Sequence, residues 1–360
     1  MGNINSATLL PVAFVFHPEW WHKNHGLCFE RRFFYDPDTR VEADLQMRKI
    51  LQERFGRYGI EQDTKLETLP CIGATHLAAG YIISEMFGCE IIFSKDSSPQ
   101  VITKNITDKE ADYIEPLYLS ENKTFQELKK LVEKLKNKFG YVIGDINWQG
   151  VLNVALDLRG EKIFIDMVQN QTRAIRLFSA ITNTIKEFVN YVRSETGTSS
   201  ISVNRTIKYI DPTINLHSNC SVVMISPEMY QDLLLEFDRD LCESLQPYGI
   251  HHCGNNMHIH ASGYARLRGA NFFDVGWGSD ISACRKILPN AFLNLRYDPA
   301  KMRLAKSDEV SEDIREMLNK SAQLEKTGIC CINMGCDVPD ENILAIAQTV
   351  AEYRLKILEQ

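Results

Sequence analysis

From Tyr141 onward, apolar runs of strand length recur with helical segments between them, and this alternation limits the possible folds more than any other feature of the chain. The runs are Tyr141-Val142-Ile143, Ser200-Ile201-Ser202-Val203, Ile214-Asn215-Leu216, Ile250 to Cys253, Phe272-Phe273-Asp274-Val275, Phe292-Leu293-Asn294-Leu295 and Ile329 to Met334. Short apolar runs bounded by turn residues read as buried strands. Helix starts lie between them. Ser226-Pro227-Glu228 combines an N-cap Ser, a Pro at the first helical position and an acid in the first turn. Ser311-Glu312-Asp313 and Asp340-Glu341-Asn342 start two more helices. Strands alternating with helices form parallel sheets. Seven runs are visible, and Cys89 to Ser94 offers an eighth. The pattern predicts an α/β fold, a (β/α)8 TIM barrel, with an open doubly wound sheet as the alternative.

The N-terminal third reads differently. It holds Trp-rich and Phe-rich segments and helices without regular strand alternation. Arg40 to Tyr58 is expected to be one helix, because Val41, Leu45, Met47, Ile50, Leu51 and Phe55 recur at helical intervals. Thr75 to Phe87 reads as another, closed by Gly88. Residues 1–135 are therefore expected to form an N-terminal helical extension packed on and capping the barrel, with room for a short first strand. Residues 136–360 form the main barrel body, the whole being one structural domain.

The 360 residues are 44% hydrophobic and 24% charged, enough to bury a substantial core. Net charge is −7, and the basic residues are dispersed among acids, which excludes a nucleic-acid surface as the expectation. Lys129 to Lys138, with Glu133 interleaved, reads as a solvated helix face. Ten cysteines without a secretory signal point to a reducing, cytoplasmic location. Met1 to Phe16 is apolar but lacks a basic n-region, and the N-terminal myristoylation-like pattern lacks polybasic support. No run approaches the ~18 apolar residues of a membrane span.

Chemistry concentrates at two strand ends. His251-His252-Cys253-Gly254-Asn255 follows Tyr248-Gly249-Ile250, and Gly335-Cys336-Asp337-Val338-Pro339 follows Ile329 to Met334. A His and a Cys two apart on a strand point to one face and can meet one ion. A third soft ligand from a distant strand would leave the fourth tetrahedral position open, the layout of a catalytic zinc site. Cys336 is the preferred third ligand, with Cys330 and Cys331 as competitors. The active site of a barrel lies at the carboxyl ends of its strands. Polar residues at predicted ends make Asn147, Asn204, His217, Asn219, Asp274 and Arg296 substrate-binding or catalytic candidates. His17, Trp20 and Trp21 are further substrate-binding or catalytic candidates, the two Trp as an aromatic wall or, alternatively, a hydrophobic plug at the barrel mouth. His258-x-His260 is weighed as a surface or supporting pair rather than as ligands.

Taken with Gln149-Gly150, Asp157-Leu158-Arg159-Gly160, Ser226-Pro227-Glu228-Met229, Asp274-Val275-Gly276-Trp277 and Asn294-Leu295-Arg296-Tyr297-Asp298-Pro299, these motifs make the chain resemble the uroporphyrinogen decarboxylase superfamily, in its zinc- and corrinoid-dependent methyltransferase branch. The resemblance runs from about Gly144 to the C-terminus. It implies zinc ligation by His251, Cys253 and Cys336. The Ala-Gly-Arg type motif by which tetrapyrrole decarboxylases of this superfamily grip propionates is not found, so uroporphyrinogen decarboxylation is not expected. The N-terminal segment looks more like that of methyltransferases in anaerobic O-demethylase systems.

That likeness implies transfer of a methyl group from a methoxylated aromatic to cob(I)alamin. Zinc would stabilise the departing phenolate while the corrinoid, a strong nucleophile, attacks in line. No Asp-x-His-x-x-Gly cobalamin signature is present, so a separate corrinoid carrier protein is the expected partner. Two alternatives stay open: transfer from a methylcorrinoid to a zinc-activated thiol, and a non-catalytic zinc- or corrinoid-binding protein of the same fold.

Overall fold

The computed structural model of the chain describes residues 5–6, 8–60, 66–73, 77, 80–144, 146–200 and 206–359. Its centre is a parallel six-stranded sheet. In chain order the strands are β1 (Val12–Phe16), β2 (Asn215–Ser218), β3 (Tyr248–His252), β4 (Ala270–Val275), β5 (Phe292–Tyr297) and β6 (Thr327–Met334). They are hydrogen-bonded in the order β1-β6-β5-β4-β3-β2. Two isolated parallel bridges, Gln149 with Ser218 and Cys71 with Ile143, carry the curl further round. The architecture is the α/β barrel type, with helices outside and a largely helical N-terminal region.

Alternation along the strands separates two cores. Ala13, Val15, Leu216, Phe272, Phe292, Cys330 and Ile332 pack together as one cluster inside the curl. Phe14, Phe16, Ile250, Phe273, Leu293, Leu295, Ile329 and Cys331 belong to the larger cluster between sheet and helices. Residues two apart share a face, so each strand feeds both layers. Phe272 and Phe292 stack inside the curl with centroids 5.4 Å apart and planes 4° from parallel.

Several expectations need correction. Cys89 to Ser94 supplies no barrel strand, because Glu90–Ile92 pairs antiparallel with Gln100–Ile102 in a separate hairpin. The N-terminal run Val12–Phe16 joins the sheet instead, pairing with β6 from Val12–Ile329 to Phe16–Met334. Its five residues are too few for a periodicity signal to separate strand from helix. The helix expected from Ser311 begins at Ser307, where Glu309 accepts from the Lys306 backbone N–H. The helix expected over 40–58 spans Pro37–Phe55, with Asp36 accepting from the Thr39 N–H at its start, and continues as a 3-10 turn over Gly56–Tyr58. Of the helix expected over 75–87, Ile82–Met86 is helical, and residues 74–76 and 78–79 lie outside the described set. The strand expected over 200–203 falls largely on residues 201–205, also outside it.

Ser226 and Asp340 start helices as read: the Ser226 hydroxyl accepts from the Met229 N–H, and the final helix runs Asp340–Leu358. No helix among the described residues is long and apolar enough to cross a membrane.

Candidate metal centre

The inward face of the sheet changes chemistry as it rises toward the strands' carboxyl ends. On β2 and just beyond, the sequence runs Leu216, Ser218, Cys220; on β3 it runs Gly249, His251, Cys253. On β4 Phe272 gives way to Asp274, and on β5 Phe292 gives way to Asn294 and then Arg296. Register aligns the middle level: Ser218 pairs with His251, His251 with Asp274, and Asp274 with Asn294. An apolar floor therefore supports a ring of polar side chains, and the soft donors stand above it.

Hydrogen bonds fix that ring. His251 Nδ1 donates to Asp274 Oδ2 at 2.6 Å, which turns Nε2 toward the Cys253 thiol as the atom that can meet a metal. Asn294 Nδ2 donates to Asp274 Oδ1 at 2.7 Å and lies 3.1 Å from Cys330 Sγ. A carboxylate behind a histidine sets its tautomer and ring orientation for metal binding. Arg296 lies above, 5% exposed, and donates from Nη1 to the Cys253 carbonyl at 3.0 Å and to Cys253 Sγ at 3.2 Å.

Cys220, His251 and Cys253 form the one group of three metal-capable donors among the described residues, their ligand atoms all within 4.8 Å of one another. Zinc holds thiolate sulfur at about 2.3 Å and imidazole nitrogen at about 2.0–2.1 Å in a tetrahedron. Atoms this close need only small shifts to share an ion, so the residues fit it. Electrostatics agree. A hydrogen bond from Cys220 holds the Cys253 thiol well below its ordinary range against the opposing effect of burial, with His251 and Arg296 adding to it. The same hydrogen bond and burial push the Cys220 thiol up. Burial opposes charge on His251, but Asp274 and Cys253 beside it raise its pKa overall.

The triad opens into a cavity of about 470 Å³. Its opposite wall comes from the segment entering the helix Val151–Arg159. Asn153 and Asp157, four apart, face the cavity with Gln149 before the helix. Gly150 makes this approach possible: a Cβ there would lie 2.3 Å from the Ser218 carbonyl oxygen. Asn147 also lines the cavity and accepts from Ser218 Oγ at 2.7 Å. Asn333 lines it from a bulge in β6, with φ 62°, a left-handed conformation that Asn tolerates better than most residues. A wider groove of about 750 Å³ lies between the ends of β4 and β5 and the helices beyond them. Among the described residues it shares Arg296 with this cavity, and its lining has one histidine, His258, and no cysteine.

The other sequence candidates fall elsewhere. Cys336 stands on the turn after β6, with Sγ 3.7 Å from Lys23 Nζ, and the structure groups Cys220 rather than Cys336 with His251 and Cys253. Cys330 and Cys331 are fully buried, one in each core cluster, and burial pushes both thiols up. His217 and Asn219 point away from the cavity because they occupy the odd positions of β2 and its extension. His217 Nδ1 bonds the Tyr248 hydroxyl, and burial lowers its pKa to about 3. Asn219 donates to Asp238 at 2.8 Å.

Trp20 and Trp21 are 0% exposed in a cluster with Phe16 and do not line the cavity. His17 caps the helix Pro18–His25, its Nδ1 accepting from the Glu19 N–H at 3.2 Å. Asn204 lies outside the described residues. Of the pair His258 and His260, the first accepts from the Asp280 N–H and the second is buried among Tyr230, His252 and Tyr264. Sequence reasoning did not name Cys220 as a ligand, and it quoted Asp157 only within a family motif.

Fold and site together define an α/β barrel with a thiolate–imidazole centre at the carboxyl ends of its strands. The chain belongs to the uroporphyrinogen decarboxylase (URO-D) family, whose model matches residues 76–353. Among solved structures it is similar to a methyltransferase from Methanosarcina mazei, with TM-score 0.68 and 14% identity, over 96% of this chain and 94% of that one. It is also similar to a B12-independent methionine synthase from Shewanella sp. W3-18-1 in complex with selenomethionine. There the TM-score is 0.51 and the identity 11%, over 98% of this chain and 99% of that one. No curated protein matches the chain by sequence.

Proposed function

We propose that this chain is a zinc-dependent methyltransferase that moves a methyl group between a small molecule and the corrinoid of a separate carrier protein. The observation that carries the reading is the convergence of Cys220, His251 and Cys253 on one point, backed by Asp274 and Arg296, at the mouth of a polar cavity. The two similar structures, named a methyltransferase and a methionine synthase, support methyl transfer as the reaction class. Zinc would be held by His251 and Cys253 with one further thiolate. Cys220 is within reach as folded, and Cys336 carries the motif by which the chain resembles the family's zinc methyltransferases. When bound, zinc supplies a Lewis acid that stabilises negative charge on the oxygen or sulfur leaving or receiving the methyl group.

The protein's own residues do the rest. Asp274 fixes the His251 ring so that Nε2 faces the cavity. Cys220, His251 and Arg296 together hold Cys253 toward the thiolate, the form that binds metal. The cavity orients the small molecule so that its methyl group faces an incoming corrinoid.

A methoxylated aromatic remains the first donor to test. Its support is the leaving-group chemistry, because the rings of Phe16, Trp20 and Trp21 are packed in the core. A second reading, transfer from a methylcorrinoid to a thiol, is favoured by the cavity wall itself, where Asn147, Gln149, Asn153, Asp157 and Asn333 stand and, among the described residues, no Phe, Tyr or Trp does. The deciding experiment incubates zinc-loaded protein with free cobalamin in both oxidation states. Methylcobalamin forming from cob(I)alamin and a methoxyarene supports the first reading. Methylcobalamin consumed by a thiol supports the second. Neither reaction in the presence of bound zinc would overturn the proposal.

A further inference from the structure

The helix-side wall of the cavity carries a carboxyl group that the metal chemistry does not use. Asp157 is half-buried there, facing the cavity that the metal triad opens into. Its Oδ2 accepts from Ser84 Oγ at 2.6 Å and from Gln149 Nε2 at 2.6 Å. Gln149 is itself held at both ends of its amide. Its Oε1 accepts from the Ser84 backbone N–H at 3.0 Å, and its Nε2 also donates to Ser84 Oγ at 2.9 Å. The carboxyl is thus clamped in one orientation by neighbours that are themselves fixed.

Both clamping bonds fall on Oδ2. Among the described residues, Oδ1 receives no donor and no Lys, Arg or His pairs with Asp157. Burial pushes this carboxyl above its ordinary range, with the two hydrogen bonds opposing. A half-buried acid is ordinarily paired or fully hydrogen-bonded, because desolvating a lone charge is expensive. The other buried acids here follow that rule. Asp166 meets Arg159 and Arg173, and Asp238 takes donors from Asn219 and Tyr230. Among the described acids, Asp157 combines a rigid mount, a spare oxygen and a cavity in front of it with the absence of any cationic partner. Across that cavity Arg296 is already committed to Cys253.

We propose that Asp157 is the anchor for an ammonium group on the small-molecule substrate, so that the substrate, whether methyl donor or methyl acceptor, carries a cationic amine. The inference rests on the reading of this cavity as the substrate site of a methyltransferase. The ammonium pairs with Asp157 Oδ1 and keeps the carboxyl ionised. Asn153, one helical turn away on the same face, lines the cavity beside it. The anchored end fixes how far the reacting end reaches toward the triad. Asp157 is therefore a positioning and selecting residue rather than a participant in bond-making.

The test uses three probes of nearly equal size: 2-methoxyethylamine as the cation, 2-methoxyethanol as the neutral form and methoxyacetate as the anion. Their binding to the full-length protein is measured by calorimetry or saturation-transfer NMR, with and without zinc. The cation is expected to bind at least tenfold more tightly than the neutral probe in both preparations. Asp157→Asn should abolish that preference while leaving zinc content and binding of the neutral probe within about twofold of wild type. A clamping role that is merely structural would weaken all three probes alike. Equal binding of cation and neutral probe by the wild-type protein overturns the proposal, whatever the variant does. Failure to bind zinc alongside an intact cation preference would sink the metal reading and leave the anchor standing.

Discussion

Arg296 Nη1 lies 3.2 Å from Cys253 Sγ and 3.0 Å from the same residue's carbonyl oxygen, so one buried guanidinium holds both the thiol and the backbone of a metal ligand. The contact adds to the larger effect of the Cys220 hydrogen bond in favouring thiolate over thiol. In metal-free protein, Cys253 should therefore react with iodoacetamide at a rate nearly independent of pH between about 5 and 8, because its pKa lies below that window. Replacing Arg296 by Met removes the cation and should raise the thiol pKa by about 1–3 units. The variant's rate would then fall off as pH drops toward about 4–5, where the wild-type thiol stays ionised. Peptide mapping of the alkylated site reads this directly, and identical profiles for the two proteins would show that Arg296 does not tune the thiol.

Zinc content should identify the third ligand. The protein is expected to hold about one zinc per chain, and His251→Ala or Cys253→Ser should remove it. In the geometry described, Cys220→Ser should weaken zinc more than Cys336→Ser does, because Cys220 is the thiol grouped with the pair. The opposite order would assign the third thiolate to Cys336 and require the Gly335 turn to carry it inward.

Removing zinc should leave the fold in place. The donors stand on an apolar floor of Leu216, Phe272, Phe292, Cys330 and Ile332 that packs without them. Treatment with a chelator is expected to abolish methyl transfer with the far-ultraviolet circular dichroism unchanged. Cooperative unfolding on chelation would make the metal structural instead.

Trp20 should matter to stability rather than to substrate choice. It is fully buried, stacked on Phe16 at 4.1 Å and edge-on to Trp21 at 4.8 Å. Trp20→Ala should cost about 3–5 kcal/mol in urea unfolding. An unchanged midpoint with altered substrate preference would return the residue to the site.

Asp238 gives a pH signature. Burial raises its carboxyl to about 7, with Tyr230 and Asn219 opposing by hydrogen bonds. Below its unfolded pKa near 3.9 both states are protonated, and it imposes no penalty. As pH rises toward 7, the unfolded chain ionises while the folded chain keeps its proton, so stability falls across that window. Asp238→Asn should remove this slope. A slope that survives the substitution belongs to other groups.

The barrel class and the His251–Cys253 pair were legible because both depend on local periodicity. Strand-length apolar runs identify the sheet, and the i, i+2 spacing places two donors on one face. The same alternation could have found Cys220. Ile214 and Leu216 mark the inward positions of β2, so Ser218 and Cys220 follow on that face, while His217 and Asn219 turn outward to Tyr248 and Asp238. Polar character alone led to the outward pair. Asp157 was unreadable for a different reason. Its contacts come from Ser84 and Gln149 on separate segments, and a helix acid with no paired base looks like any solvated one. The aromatic N-terminal segment misled because ring content cannot distinguish a core cluster from a cavity wall.

The pairing of Val12 with Ile329 has a consequence for synthesis. At the ordinary pace of about 5–20 residues per second, the ribosome takes roughly 20–70 s over a chain of this length. Throughout nearly all of that time the apolar segment Val12-Ala13-Phe14-Val15-Phe16 is outside the tunnel, and the neighbour that covers its edge does not yet exist. A bare apolar strand is a template for other nascent chains. Slower growth with abundant holdase chaperones to shield that stretch is therefore expected to raise soluble yield.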